Sequence, residues 1–199
     1  MAMTERGGHR PLLVLVSGAP GAGKTTLARR LAGEDALWLP LLSVDAFKRG
    51  LAETQSVNLA VDSAVRSTIT GAAVVAFFAA IEYFLRSGMS AIAEFSFRRG
   101  LAERDLAPLL GMARAVNIHC AIDPADAQRR FLERERTRQV PEQAAERVGD
   151  QMVRGTFDWT AFGPLALDVP QLHVDTTRGY APSLEAIVAF CRGHAPARA

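Results

Sequence analysis

Lysine is nearly absent from this chain. Of its 23 lysine and arginine residues only two are lysines, Lys24 and Lys48. Where arginine serves wherever the surface merely needs positive charge, a retained lysine points to a position at which a compact ammonium matters. Cysteine is almost as scarce, with Cys120 and Cys191 far apart. Two cysteines cannot staple a domain of this size, and their spacing is not that of a metal site, so buried free thiols in a reducing cytosol are expected. Excess charge is lacking too. A net charge of +2 over 199 residues gives no argument for nucleic acid or a membrane as a bulk partner.

Long hydrophobic runs are also missing. The stretch PLLVLV is too short for a signal-peptide core and leads straight into a glycine-rich loop, so export is not expected. The longer TGAAVVAFFAAIEYFLRSG is interrupted by Glu82 and Arg86 and falls short of about 20 apolar residues, which predicts a helix buried in a domain core. Several nucleotide-protein classes are excluded by absent strings. No Asn/Thr-Lys-x-Asp base-reading motif of a GTPase occurs, and no Leu-Ser-Gly-Gly-Gln of a transporter ATPase. The chain is short for a helicase or ring ATPase.

What is present is an alternation of short apolar runs and helical patterns. Strands are expected at 12–17, 38–43, 90–94, 115–120 and 171–175. Helices are expected at about 24–33, 66–87, 101–112, 124–137, 142–153 and 183–192. This order means an α/β three-layer sandwich, a parallel sheet of about five strands covered on both faces. We expect one domain over 11–195, a disordered tail at 1–10 and a lid around 124–160. The stretches 47–65 and 138–165 fit the alternation poorly and are expected to rim the crevice at the carboxyl ends of the strands.

The segment GAPGAGKTT matches the P-loop pattern G-x-x-x-x-G-K-[ST], between a strand and a helix. Its residues Gly18, Ala19, Pro20, Gly21, Ala22, Gly23, Lys24, Thr25 and Thr26 predict a cradle for the phosphates of ATP. Glycines let successive N–H groups converge on an anion, and the helix N-terminus adds its positive end. Lys24 would reach the β- and γ-phosphates, and the Thr25 hydroxyl would ligate Mg²⁺.

Beyond this donor site lies SVDAFK, where Asp45 follows the second strand and Lys48 stands one helical turn on. Asp45 is a candidate general base for an acceptor hydroxyl, with a Mg²⁺ ligand or a helix N-cap as alternatives. Lys48 either holds an anionic part of the acceptor or is a solvated surface charge. Glu94 closes the strand AIAE and would bind metal through a water or touch the acceptor, with Ser96 and Arg98 on the loop behind it. The two phenylalanines of EFSFRRG could instead plug the core. In DPADAQRRFLERERTR, Arg130 and Arg134 share a helix face and would neutralise the transferring phosphoryl group. Arg129 points away from that face, and Arg136 and Arg138 are read as structural. Asp175 and Thr176 are expected in a strand-end turn, His119 and His173 as core histidines, and Trp38 and Trp159 as packing residues.

The loop GAPGAGKTT, the turn SVDAFK, the strand end AEFSFRRG and CAIDPADAQRRFLER come in the order seen in P-loop kinases of the zeta-toxin and chloramphenicol-phosphotransferase group, which this chain resembles over about 12–137 and at LHVDTT. The resemblance implies Asp45 as catalytic base, Glu94 as the strand-end acid, Ser96 and Arg98 as acceptor contacts, and Arg130 and Arg134 as lid arginines. EFSF replaces the small Gly-Thr-like stretch usual there, so the acceptor does not carry over. The expected activity is transfer of the γ-phosphate of Mg·ATP to a hydroxylated small molecule in the cytoplasm. The rivals are a partner-dependent regulatory ATPase with slow hydrolysis and a toxin-type kinase held by an inhibitor protein.

Overall fold

A computed structural model describes residues 10–33, 35–54, 63–137 and 143–195. Residues 1–9 of the tail expected at 1–10 and the structural reading of Arg138 lie outside these residues, as does part of each poorly fitting stretch. Five parallel strands form one sheet in the order β2-β3-β1-β4-β5. They are β1 Leu12–Gly18, β2 Leu41–Ser43, β3 Ala91–Glu94, β4 Arg114–Ala121 and β5 Gln171–Asp175. The helices are α1 Lys24–Ala32, α2 Val44–Thr54, α3 Ser63–Arg86, α4 Ala102–Leu110, α5 Pro124–Thr137, α6 Gln143–Val153 and α7 Leu184–His194.

The central strand shows why the sequence folds this way. All seven residues of β1 are buried, as expected of a strand covered on both faces. Successive side chains of a strand point to opposite faces. Accordingly Leu12, Val14 and Val16 join Leu27 and Leu31 of α1 and Ile187 and Cys191 of α7 in one core. Leu13 and Leu15 join Phe77 and Ile81 of α3 and Leu106 of α4 in the other. The second core turns on Phe77, whose ring lies 5.3 to 6.5 Å from those of Phe47, Phe78, Phe95 and Phe97. Removing such a fully buried ring costs about 3–5 kcal/mol. Both cysteines are free and buried, as expected, and burial pushes each thiol up to about 12.

Four expectations need correction. The second strand starts at Leu41, because Trp38 adopts φ 50 and stands 73% exposed instead of packing. The stretch from 47 opens as the body of α2 and carries regular helix to Thr54. The long apolar helix α3 buries one stripe, Ile69, Ala73, Phe77, Ile81 and Leu85, at a spacing of four. Its other face carries exposed Val75 and Tyr83, and its segment Ser67–Arg86 is long and apolar enough to cross a membrane by length and composition. It is therefore half core and half surface. His173 is exposed on β5, its ring edge-on to buried His119 at 5.5 Å, whereas His119 is the core histidine foreseen.

Register sets up the site. Val16 lies opposite Glu94, which lies opposite Ser43, while Gly18 faces Cys120 and Ala121 faces Asp175. The carboxyl ends of all five strands therefore share one edge, where open α/β sheets bind ligands.

Candidate active site

The loop after β1 is shaped by what glycine alone permits. Gly18, Gly21 and Gly23 have φ of 135, 83 and 75. A Cβ on Gly18 would lie 2.5 Å from the Cys120 carbonyl oxygen, and one on Gly21 would lie 2.2 Å from that of Ala127 in α5. The loop is thus pressed between β4 and α5 at distances only hydrogen allows. α1 opens on Gly23 with no side-chain cap and no acid in its first turn. Helix N-termini left this way have N–H groups that need an acceptor and a dipole end that favours an anion. The cradle fits a phosphate chain. Lys24 is buried, and its Nζ donates to the Ala19 carbonyl at 2.8 Å, folding the ammonium over the loop.

The far side of the loop is buckled by Thr176. Its hydroxyl lies 3.0 Å from the Ala22 carbonyl oxygen and 3.2 Å from that of Ala121, and its amide donates to Ala121. Asp175 forms the Asx-type turn foreseen, its Oδ1 accepting from the Thr177 amide at 2.7 Å. Sequence gave Thr176 no further part; its role comes from the fold alone, which sets the end of β5 under the loop.

Asp45 stands in the first turn of α2, and the N-cap alternative falls to its neighbour. Ser43 Oγ accepts from the Ala46 amide at 3.3 Å, which leaves Asp45 as the second residue of the helix, with its carboxylate not used as the cap. Asp45 lines one cavity with Lys24, Thr25, Glu94, Ser96 and Arg134. The Thr25 hydroxyl donates to Glu94. Burial pushes the Lys24 ammonium down, opposed chiefly by the Glu94 carboxylate. Burial pushes the Glu94 carboxyl up, opposed chiefly by Lys24. Each group's charge is thereby favoured chiefly by the other, against the burial they share. The oxygens of Thr25, Asp45 and Glu94 are hard donors of the kind Mg²⁺ takes one or two at a time beside phosphates. Among the described residues no three His, Cys, Asp or Glu side chains gather to hold a metal unaided, so such an ion would depend on the nucleotide for the rest of its shell.

Lys48 is not a surface charge: it is 8% exposed and lines the same cavity. Both lysines of the chain are therefore buried at one site. The two arginines of α5 part company. Arg134 lines the cavity, its guanidinium 5.2 Å from the Phe131 ring centroid and 3.2 Å from Glu135 Oε1. Arg130 instead donates to the Thr176 and Thr177 carbonyls at 3.0 and 2.7 Å. It borders a second pocket, of about 530 Å³, with Gly23, Thr26, Arg30 and Tyr180.

A family model described as an AAA domain matches residues 13–157. The chain belongs to this family. A solved structure of a candidate kinase from Chloroflexus aurantiacus J-10-fl is 27% identical with a TM-score of 0.69, over 94% of this chain and 97% of that one. A gluconokinase from Sinorhizobium meliloti 1021 is 17% identical with a TM-score of 0.51, over 94% and 95%. The PezAT toxin-antitoxin system of Streptococcus pneumoniae supplies a chain 15% identical with a TM-score of 0.54, over 88% and 74%. No curated protein sequence matches. The family and its kinase neighbours support a nucleotide-dependent phosphotransferase in general.

In this AAA-domain chain several cavity residues escaped sequence reasoning. The Phe157 and Phe162 rings stack at 5.5 Å with planes 2° apart, and both line the cavity. They are held by Asp158, whose Oδ1 caps the Trp159–Phe162 turn through Thr160 and Ala161, and by the Arg99 amide, which donates to Ala161 O at 2.8 Å. Trp159 packs edge-on against Phe157. Their signal was the aromatic string FDWTAF within the stretch expected to rim the crevice. Phe97 plugs the second core as the core alternative expects, and it also lines the cavity together with Phe95 and Ser96. Arg98 is exposed at its rim. Arg30 and Tyr180, 5.9 Å from guanidinium to ring centroid, carried no motif.

Proposed function

We propose that the protein is an ATP-dependent small-molecule kinase that uses Asp45 as general base. The observation that carries this reading is that Asp45 lines the same cavity as Lys24 and Thr25, one at the acceptor side and the others on the phosphate loop. The phosphate chain of ATP would lie in the loop, with the nucleoside toward the pocket bordered by Arg130, Arg30 and Tyr180. Mg²⁺, held by Thr25 and reached by Glu94, would neutralise charge on the phosphates.

The acceptor hydroxyl oxygen attacks the γ-phosphorus and passes its proton to the Asp45 carboxylate. The bond from that phosphorus to the bridging oxygen breaks, and ADP leaves with its electrons. Lys24 and Arg134 face the charge that spreads over the transferring group, which is where fixed cations lower a barrier most. Lys48, buried beside Asp45, contacts the acceptor. Ser96 and Arg98 line the acceptor's side of the cavity, and Arg130 acts by positioning the loop end from which Thr176 buckles the cradle.

The test is ADP release from Mg·ATP over a panel of hydroxylated metabolites and antibiotics, for wild type beside Asp45→Asn. A positioned base contributes about 10²- to 10⁴-fold. An acceptor that stimulates wild type at least tenfold should lose that effect in the variant. Equal, slow and acceptor-independent hydrolysis by both proteins would sink the base assignment and favour a regulatory ATPase.

A further inference from the structure

The cavity beyond Asp45 describes its own ligand. It has a volume of about 480 Å³, within the roughly 300–1,000 Å³ typical of small-molecule sites. Aromatic residues make up 7% of the chain, yet six of the 22 residues lining this cavity are phenylalanines. Phe78 comes from α3, Phe95 and Phe97 from the loop after β3, Phe131 from α5, and Phe157 and Phe162 from the segment after α6. Four separate parts of the chain thus bring rings to one space, more than packing of the second core requires: Phe131, Phe157 and Phe162 have no place in that core.

Three of the four carboxylates around the cavity have partners. Glu94 holds Thr25, Asp105 pairs with Arg104, and Glu135 pairs with Arg134. Among the neutral side chains of the lining only Thr25 and Ser96 carry a hydroxyl. Away from Asp45, Lys48, Ser96 and the arginines, the hydroxyls of a polyol or sugar would meet phenyl rings, and each buried hydroxyl without a partner weakens binding. A flat apolar body bearing one hydroxyl suits the same walls: rings favour offset or edge-on aromatic contact, and the hydroxyl needs only the acid end of the cavity.

We propose that the acceptor is an aryl alcohol, an alcohol borne on an aromatic body, with its ring between Phe95 and the Phe157–Phe162 pair and its hydroxyl toward Asp45. This rests on the phosphotransfer reading above, but its recognition chemistry is measurable without turnover. Ligand-observed NMR on the full chain loaded with ADP compares 2-phenylethanol and 3-phenylpropan-1-ol with glycerol, glucose and gluconate, and the same compounds are assayed for ADP release from Mg·ATP. The aryl alcohols should bind at least tenfold more tightly than the polyols. Phe162→Ala, and separately Phe157→Ala, should weaken that binding at least fivefold, with ADP binding in the same samples reporting that the variants fold. Polyols that bind as well or better overturn the aryl class, and their turnover would leave the kinase reading standing. Absence of aryl-alcohol binding overturns it as well. Aryl alcohols that bind through these rings yet release no ADP uphold the class and count against phosphotransfer.

Discussion

Replacing Thr176 with valine tests whether the phosphate cradle is held by its motif alone or by a residue 154 positions away in the chain. The side chain is 5% exposed, and its hydroxyl reaches the Ala22 and Ala121 carbonyls at 3.0 and 3.2 Å. Valine keeps the shape and removes the donor. Ala121 keeps the Thr176 amide as a partner, so the loss falls on Ala22, inside the loop. Losing a buried hydrogen bond and exposing its acceptor to an apolar methyl costs about 1–3 kcal/mol. For a chain of this size each kcal/mol moves Tm by roughly 2–4 °C, so Thr176→Val should lower Tm by about 2–12 °C. The loop would also lose preorganisation, and about 1.4 kcal/mol of that loss would weaken Mg·ATP binding tenfold. Thermal unfolding with and without Mg·ATP, alongside Thr176→Ser as the hydroxyl-keeping control, reads both effects. A valine variant with wild-type Tm and wild-type nucleotide affinity would refute the buckle.

Gly21→Ala should abolish nucleotide binding by equilibrium titration, because the new Cβ would meet the Ala127 carbonyl at 2.2 Å at a φ of 83; tight binding by the alanine variant would mean α5 yields freely. His119 is pushed down from 6.5 to about 4 by burial, then by His173 and Lys24. Between those pH values the unfolded state binds the extra proton, so stability is lost as pH is lowered from 6.5 toward 4, by up to about 1.4 kcal/mol per unit. Urea unfolding at pH 7 and 5 should show a flatter dependence for His119→Asn than for wild type, and equal slopes would contradict the assignment. Glu94→Gln should unfold at a higher temperature than wild type while losing turnover. Its folded carboxyl is raised above 4.5 by burial, so its contribution is fully present below 4.5 and is lost as pH rises through the folded value. The Tm gap should therefore open with rising pH, and a gap of opposite sign would show that Lys24 needs this carboxylate more than burial penalises it.

The amino-acid sequence by itself determined the sheet and the donor half of the site. Five apolar runs at strand length, separated by helical patterns, leave few arrangements other than a covered parallel sheet, and the glycines of GAPGAGKTT are legible because φ and close approach are local demands. Asp45, Glu94 and both lysines became candidates on the same grounds, since strand ends and scarce residue types can be read along the chain. Tertiary structure alone decided what depends on elements remote in sequence. It placed Thr176 beneath Ala22, split Arg130 from Arg134 though they share a helix face, and buried Lys48, which sequence left divided between surface and site. It turned one face of α3 outward, because a helix that is apolar all round does not reveal which stripe the sheet will cover. Above all it gathered phenylalanines from four separate segments around one cavity. Periodicity records how a residue sits in its own helix or strand, and only packing decides which of its distant neighbours share the same space.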